Sequence, residues 1–548
     1  MNNRYKHGFL FLLIFALLLP AYAQEPDPSG FMFRLLLKDK GNPPFTLDNP
    51  SEYLSQKAID RRTKQGINID STDLPIDPVY LSRIKEQNAT IKAVSKWVNT
   101  VVVYVSDSND VNSLKALPFV DSAVFVWKGT LINSVLKGDP LSSVKYEYEK
   151  TSNVSYYGDA YYQIHLHKGE LLHEEGFRGE GMTIGVIDGT FLNATQIEGF
   201  NRDQIRDVKN FTHQHEYNSL DASASHGTKV LSCMLSEKPG SMVGTAPKAD
   251  YYLIQTEVNG EEFLVEEDFW IAGIEYADSV GVDVVNSSLG YTHFDLPEMN
   301  HTHAQLDGNS VLISKAASMA ADKGMLVFIA AGNEGNKTWI KISFPADADN
   351  IVAVGAVRQS TDNPVSTFSS MGFTADGRIK PDLMAVGTNA AIVGESGNVG
   401  DGSGTSFASP ILAGLGACLW QALPDLTNKQ IIAALKKNAN RFLMPDSIYG
   451  YGIPDVYQAY RENKTPIDAI ENNPRILQVD VNSDLLFINL PLEDCRNCCL
   501  MIFSALGTKI FERTSITESI DIRFLSKGIY IAYLNVGNKR YVRKFIKY

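Results

Sequence analysis

Cysteine is scarce, with five residues in a chain of 548. That count excludes a disulfide-built scaffold. Cys233 and Cys418 stand in apolar surroundings and are expected to act as small core residues. Cys495, Cys498 and Cys499 cluster, but no second ligand pair stands near them to complete a tetrahedral zinc site. A local disulfide or free thiols are expected there. Positive charge is outweighed, at 50 Lys+Arg against 63 Asp+Glu, for a net charge of −13. No nucleic-acid partner is expected, because such proteins normally show a basic face. Past the N-terminus no apolar run reaches about 18 residues, so no retained membrane span is expected. There is no repeat of solenoid length.

What is present organises the chain into units. Arg4 and Lys6 precede an apolar run from Phe9 to Leu19, and Ala21-Tyr22-Ala23 supplies small residues before Gln24. Residues 1–23 read as a secretory signal, which implies an exported protein. Residues 24–150 hold a small α+β unit. Phe31–Leu37 and the β-rich run Trp97–Val105 predict strands, Glu52–Gln65 has helical spacing before Gly66, and Ser95–Asn99 fits the start of a strand. Residues 131–160 read as exposed and irregular, a place that tolerates proteolysis.

Over 160–460 short apolar runs alternate with helical stretches. Met182–Ile187, Tyr251–Gln255, Val282–Asn286, Met325–Ala330 and Ile351–Val357 are nearly all apolar, as strands covered on both faces must be. Helices are predicted over Phe269–Ser279, Val311–Lys323, Ser406–Ala422 and Asn428–Lys437. This is an α/β class with a mainly parallel sheet. Residues 461–470 read as a linker, and 471–548 as short strands with turn signals, a small antiparallel sandwich.

Four segments of the α/β unit carry chemistry-bearing residues. Ile184-Gly185-Val186-Ile187-Asp188-Gly189 ends a strand in an acid, at the edge where open α/β sheets place their sites. Ser225-His226-Gly227-Thr228 puts a histidine near a helix start. Ala330-Ala331-Gly332-Asn333-Glu334-Gly335 runs a buried strand into an Asn between glycines. Gly402-Ser403-Gly404-Thr405-Ser406-Phe407-Ala408-Ser409-Pro410 sets a Ser at the start of a small-residue helix, beside its unpaired N–H groups.

In the order Asp, His, Asn, Ser, these segments resemble the subtilisin-like serine peptidases. Further matches follow in order: Gly244–Ala249, Val285-Asn286-Ser287-Ser288-Leu289-Gly290, Phe344-Pro345-Ala346, Val352–Ala356, Lys380-Pro381-Asp382 and Gly450–Asp455. The resemblance covers about 160–460 and implies a three-layer core and a serine endopeptidase. It implies Asp188, His226 and Ser406 as catalytic residues and Asn333 as oxyanion donor. It implies Ser288, Leu289, Gly290, Ala331 and Gly332 as the substrate-binding edge, with protein or peptide substrates, no required cofactor and no metal in the chemistry. A structural calcium ion remains possible. Tyr291 stands where another Gly is frequent and is expected to narrow the cleft. Residues 291–310 look like an inserted loop, read as solvated surface with calcium as the alternative. The His-x-His pairs at 165/167, 213/215 and 301/303 lack zinc-peptidase spacing.

The flanks carry resemblances of their own. Placed between a signal and such a peptidase, 24–150 resembles a propeptide, implying synthesis as a zymogen cut within 131–160. Residues 471–548 are similar to the type A sorting domain of type IX secretion in Bacteroidetes. The pieces are Asn473-Pro474, Ser504–Gly507, Ile520-Asp521-Ile522, Leu525–Tyr530 and the basic end Arg543–Lys547. This implies the type IX machinery as partner and a route through the periplasm to the cell surface or medium. Two alternatives stay open: a selective processing peptidase, or a catalytically silent surface binding module.

Overall fold

The computed structural model describes residues 30–129, 152–212, 225–258, 260–464 and, further on, 470–471, 477–480, 484–489, 498–504, 508–514, 519–536 and 539–547. The predicted signal, Cys495, most of the 131–160 segment and half of the 461–470 segment lie outside them.

The first unit is a four-stranded antiparallel sheet carrying helices. Its elements are β1 (Gly30–Leu37), α1 (Gln56–Gln65), α2 (Pro78–Lys85), β2 (Thr90–Ser95), β3 (Thr100–Val105), α3 (Val111–Lys115) and β4 (Val120–Gly129), with strand order β2-β3-β1-β4. The period-2 alternation of strands divides its side chains between two cores. Phe33, Leu35, Val101 and Val103 meet Ile84 of α2 and Leu114 of α3. Met32, Val102 and Val126 face the other way, into the core of the next unit. α1 starts at Ser55, whose side chain accepts from Ala58 N, and stops at left-handed Gly66. Ser95–Asn99 does not start a strand: it closes β2 and turns into β3, because Asn99 adopts a positive φ of 52°. Within 131–160, residues Ser152–Tyr157 form a short helix instead of irregular chain.

The second unit is a seven-stranded parallel sheet with helices on both faces. Its elements are β5 (Thr183–Asp188), β6 (Ile205–Asn210), α4 (His226–Leu235), β7 (Asp250–Gln255), α5 (Val265–Val280), β8 (Val284–Ser287), α6 (Leu312–Asp322), β9 (Leu326–Ala330), β10 (Val352–Arg358), β11 (Leu383–Thr388), α7 (Thr405–Ala422) and α8 (Asn428–Lys437). The order is β11-β10-β9-β8-β5-β7-β6 and every pairing is parallel. β5, β8 and β9 are buried along their whole length, as their unbroken apolar runs require. α4 and α7 pack on one face, α5 and α6 on the other. The chain leaves β5 toward β7 and returns at β8 to build the opposite half. The crevice between the carboxyl ends of β5 and β8 is therefore the topological switch point.

The third unit has a five-stranded sheet (Ile470–Glu471, Lys539–Lys547, Gly528–Val536, Cys498–Ser504, Lys509–Thr514) and a three-stranded one (Leu477–Asp480, Leu485–Ile488, Ser519–Asp521). They enclose one core that includes Leu486, Leu500, Ile502 and Leu534. Cys233 and Cys418 are thiols of the core, and among the described residues Cys498 and Cys499 form no disulfide. Among the described residues no helix is long and apolar enough to cross a membrane.

Candidate active site

β5 delivers Asp188 to the carboxyl edge of the sheet, wholly buried. Its Oδ1 accepts from Gly189 N at 2.8 Å and lies 2.6 Å from His226 Nδ1. A carboxylate only accepts, so Nδ1 carries the proton and Nε2 is left as the acceptor. His226 is the first residue of α4, and its ring packs on Phe407 at 6.0 Å between centroids. Burial pulls its pKa down, but the charge and hydrogen bond of Asp188 outweigh that and leave it raised above 6.5.

Ser406 is the second residue of α7, a helix buried along nearly its whole length. Ser409 Oγ donates to Asn286 Oδ1 at 2.7 Å, and Asn286 Nδ2 donates to Ser288 Oγ at 3.0 Å, which ties α7 to the end of β8. Ser288 Oγ donates to Ser406 O at 2.8 Å, and Ser406 Oγ donates to Ser288 O at 3.2 Å. Among the described residues there is no hydrogen bond between Ser406 and His226. The hydroxyl rests on the Ser288 carbonyl instead.

Asn333 follows β9. Its Oδ1 accepts from Thr405 N at 2.9 Å and Thr405 Oγ1 at 3.1 Å, so the amide is fixed with Nδ2 outward. Gly332 before it has φ 107°, and a Cβ there would stand 2.3 Å from Ser343 Oγ, so only glycine serves. A Cβ added to Gly404 would lie 3.5 Å from Asn333 Nδ2, 3.6 Å from Ser406 N and 3.7 Å from Ser406 Oγ. Two donors and the hydroxyl thus border one small space.

Ser288, Leu289 and Gly290 continue β8, and Ala331 and Gly332 continue β9, so the five predicted edge residues also stand at the carboxyl ends of the sheet. Tyr291 departs from its expectation. It is buried rather than narrowing the cleft, and its hydroxyl donates to Glu257 Oε1, because Phe294 stacks on it and closes the solvent side. The 291–310 loop is not simply solvated either: Met299, His301 and Leu306 are buried, and His301 Nε2 meets Glu267 Oε1 at 2.5 Å. Its Asp307 is held within the loop. Both carboxylate oxygens already accept, Oδ1 from Asn309 N and Ser310 N, Oδ2 from Ser310 Oγ. Sequence reasoning missed Thr405, which fixes Asn333, and Glu257, which follows β7 beside the Asp188–His226 pair. Burial is the largest cause that pushes Glu257 up to about 7, and the Asp188 charge adds to it.

A doubly wound parallel sheet with these side chains at its carboxyl edge is the architecture of a serine-type endopeptidase. Residues 179–452 match the subtilase family, Peptidase S8, and the chain belongs to that family. Residues 32–139 match the Bacteroidota Peptidase S8 propeptide domain, and 481–548 the secretion system C-terminal sorting domain. The chain is 30% identical over 329 residues to Subtilisin NAT of Bacillus subtilis subsp. natto, covering 59% of this chain and 77% of that one. It is 29% identical over 303 residues to a subtilisin of Bacillus pumilus, covering 54% of this chain and 98% of that one. It is 28% identical over 304 residues to serine protease AprX of Bacillus subtilis (strain 168), covering 50% of this chain and 65% of that one.

Proposed function

We propose that the chain is the zymogen of a secreted serine endopeptidase in which Ser406 is the nucleophile, His226 the general base and acid, Asp188 its orienting carboxylate and Asn333 the oxyanion donor. The units are a signal (1–23), a propeptide (24–150), a peptidase (160–460) and a sorting domain (471–548) that engages the type IX machinery on the way from periplasm to surface or medium. Ser406 Oγ gives up its bond to Ser288 O, turns about χ1 between staggered positions toward His226 Nε2, and attacks the scissile carbonyl as its proton passes to the imidazole. The Asp188 charge stabilises the imidazolium. The oxyanion settles in the space above Gly404, where Asn333 Nδ2 and Ser406 N donate. His226 then protonates the leaving amine, and water repeats the sequence on the acyl-enzyme. None of these steps calls on a cofactor.

The observation that carries the reading is this convergence of Asn333 Nδ2, Ser406 N and Ser406 Oγ at Gly404. Casein hydrolysis and N-terminal sequencing of wild type and Ser406→Ala test it. The variant should lose on the order of 10⁶ in kcat and remain uncut within 131–160. A fluorophosphonate should label Ser406. Equal hydrolysis by both proteins would overturn the assignment, and an unlabelled Ser406 would turn the reading to a silent binding module.

A further inference from the structure

A pocket of about 340 Å³ opens against the imidazole of His226. Its wall holds five carboxyl side chains, Asp188, Glu257, Glu261, Glu262 and Asp295, and among the described residues no Lys or Arg. Carboxylate oxygens of Glu257, Glu262 and Glu266 all lie within 4.8 Å of one another. Two further observations point to a donor as occupant. Asp188 Oδ2 is buried with no hydrogen-bond partner among the described residues. Trp127 Nε1, from the end of β4, donates to Glu261 Oε2 at 2.8 Å, so an N–H group of the propeptide already engages the pocket's acidic rim.

The loop that bears these acids is held in place. Glu266, in the first turn of α5, accepts from Val258 N at 2.7 Å and Phe263 N at 3.2 Å, and Glu262 N donates to Asp295 Oδ2 at 3.2 Å. β4 reaches this loop just before the 131–160 maturation segment, so the loop flanks the chain on the acyl side of a cut made there. We infer that the pocket receives a basic side chain, Lys or Arg, on the acyl side of the scissile bond, with Glu257 and Glu262 setting the preference. The inference rests on the peptidase reading above and names its substrate class. Burial first, and then neighbouring negative charge, push Glu262 up to about 8, so the group ionises more readily once a cation sits beside it. An acidic substrate side chain would meet only like charge.

The test uses mature wild-type enzyme and peptides that differ only by Lys, Leu or Glu at each position preceding the cleaved bond. At one position kcat/KM for Lys should exceed that for Leu by about tenfold, with Glu lowest. About 1 M NaCl should compress the ratio, a measurement that needs no variant. Glu262→Gln and Glu257→Gln should each lower the Lys/Leu ratio by about threefold or more. Efficient cleavage of the Leu peptide with a ratio near one, or a ratio that survives both substitutions and salt, overturns the pocket and leaves the peptidase standing. Failure to cleave any peptide, with Ser406 unlabelled by fluorophosphonate, takes both readings down.

Discussion

The unit of residues 30–129 shares one of its two cores with the peptidase. Met32, Ala93, Trp97, Val102, Val126 and Trp127 belong to one apolar cluster with Phe269, Trp270 and Ile271 of α5. The C-terminal unit closes its own core, and the contacts described for it, such as Tyr530 Oη to Ser526 O, stay within it. Polar contacts follow the same division. Arg34 grips Asp268 through two bonds of 2.6 and 2.8 Å. Ser95 Oγ and the Lys96 and Trp97 N–H groups all donate to Glu275. Arg62 joins Asp278 at 2.8 Å and Asp73 at 2.9 Å, and Lys323 joins Asp73 at 2.8 Å. The exposed pair Arg523–Asp521 is typical of the other end. One flank is interlocked with the peptidase, and the other is a passenger packed on itself. Buried charges with good geometry demand their partners, whereas exposed ones do not.

Deletion breaks this contrast most strongly. A chain lacking 24–150 should fail to reach an active fold, and one ending at residue 464 should keep casein hydrolysis and its circular dichroism signature. Arg62→Met should lower zymogen stability by about 3–5 kcal/mol in denaturant titration, because Asp278 and Asp73 keep buried charge without their shared partner. Arg523→Ala should leave the denaturation midpoint unmoved. Asn333→Ala should cost 10²–10³ in kcat with unfolding unchanged, equally in the full and C-terminally truncated enzymes. The smallest effect concerns pH. Catalysis needs neutral His226, whose pKa Asp188 raises, so activity should fall with decreasing pH along a limb above 6.5. Truncation after 464 should not move that limb, and Asp188→Asn should move it down. A shift on truncation would show that the passenger reaches the site.

Much of the α/β unit was legible because most of its strands are apolar on both faces and three of its helices meet Gly281, Gly404, Thr427 or Asn438 at an end. Five predicted strands and four predicted helices stand within a few residues of their observed limits. The four polar residues were legible because each sits where a strand ends or a helix begins. Side-chain direction was not legible. Tyr291 looked like a cleft residue, but its hydroxyl donates to Glu257, a partner 34 residues earlier that no helical or strand register announces. Arg61 and Arg62 lie within the helical stretch predicted over Glu52–Gln65, whose spacing says nothing of their partner, and both are buried against Asp278, more than 200 residues away. Periodicity separates apolar from polar faces and cannot tell a solvated charge from a paired one. The rest position of Ser406 depends on a rotamer, which no residue pattern encodes.

Helix α5 carries two duties in one short stretch. Glu266 pins the loop of the acidic pocket, while Asp268, Glu275 and Asp278 hold the 30–129 unit. A mutation that tilts this helix therefore disturbs the seat of the 30–129 unit and the acidic loop together. A leader without Arg34, Arg61 and Arg62 would leave Asp268 and Asp278 buried and uncompensated on the same helix that steadies the acidic loop.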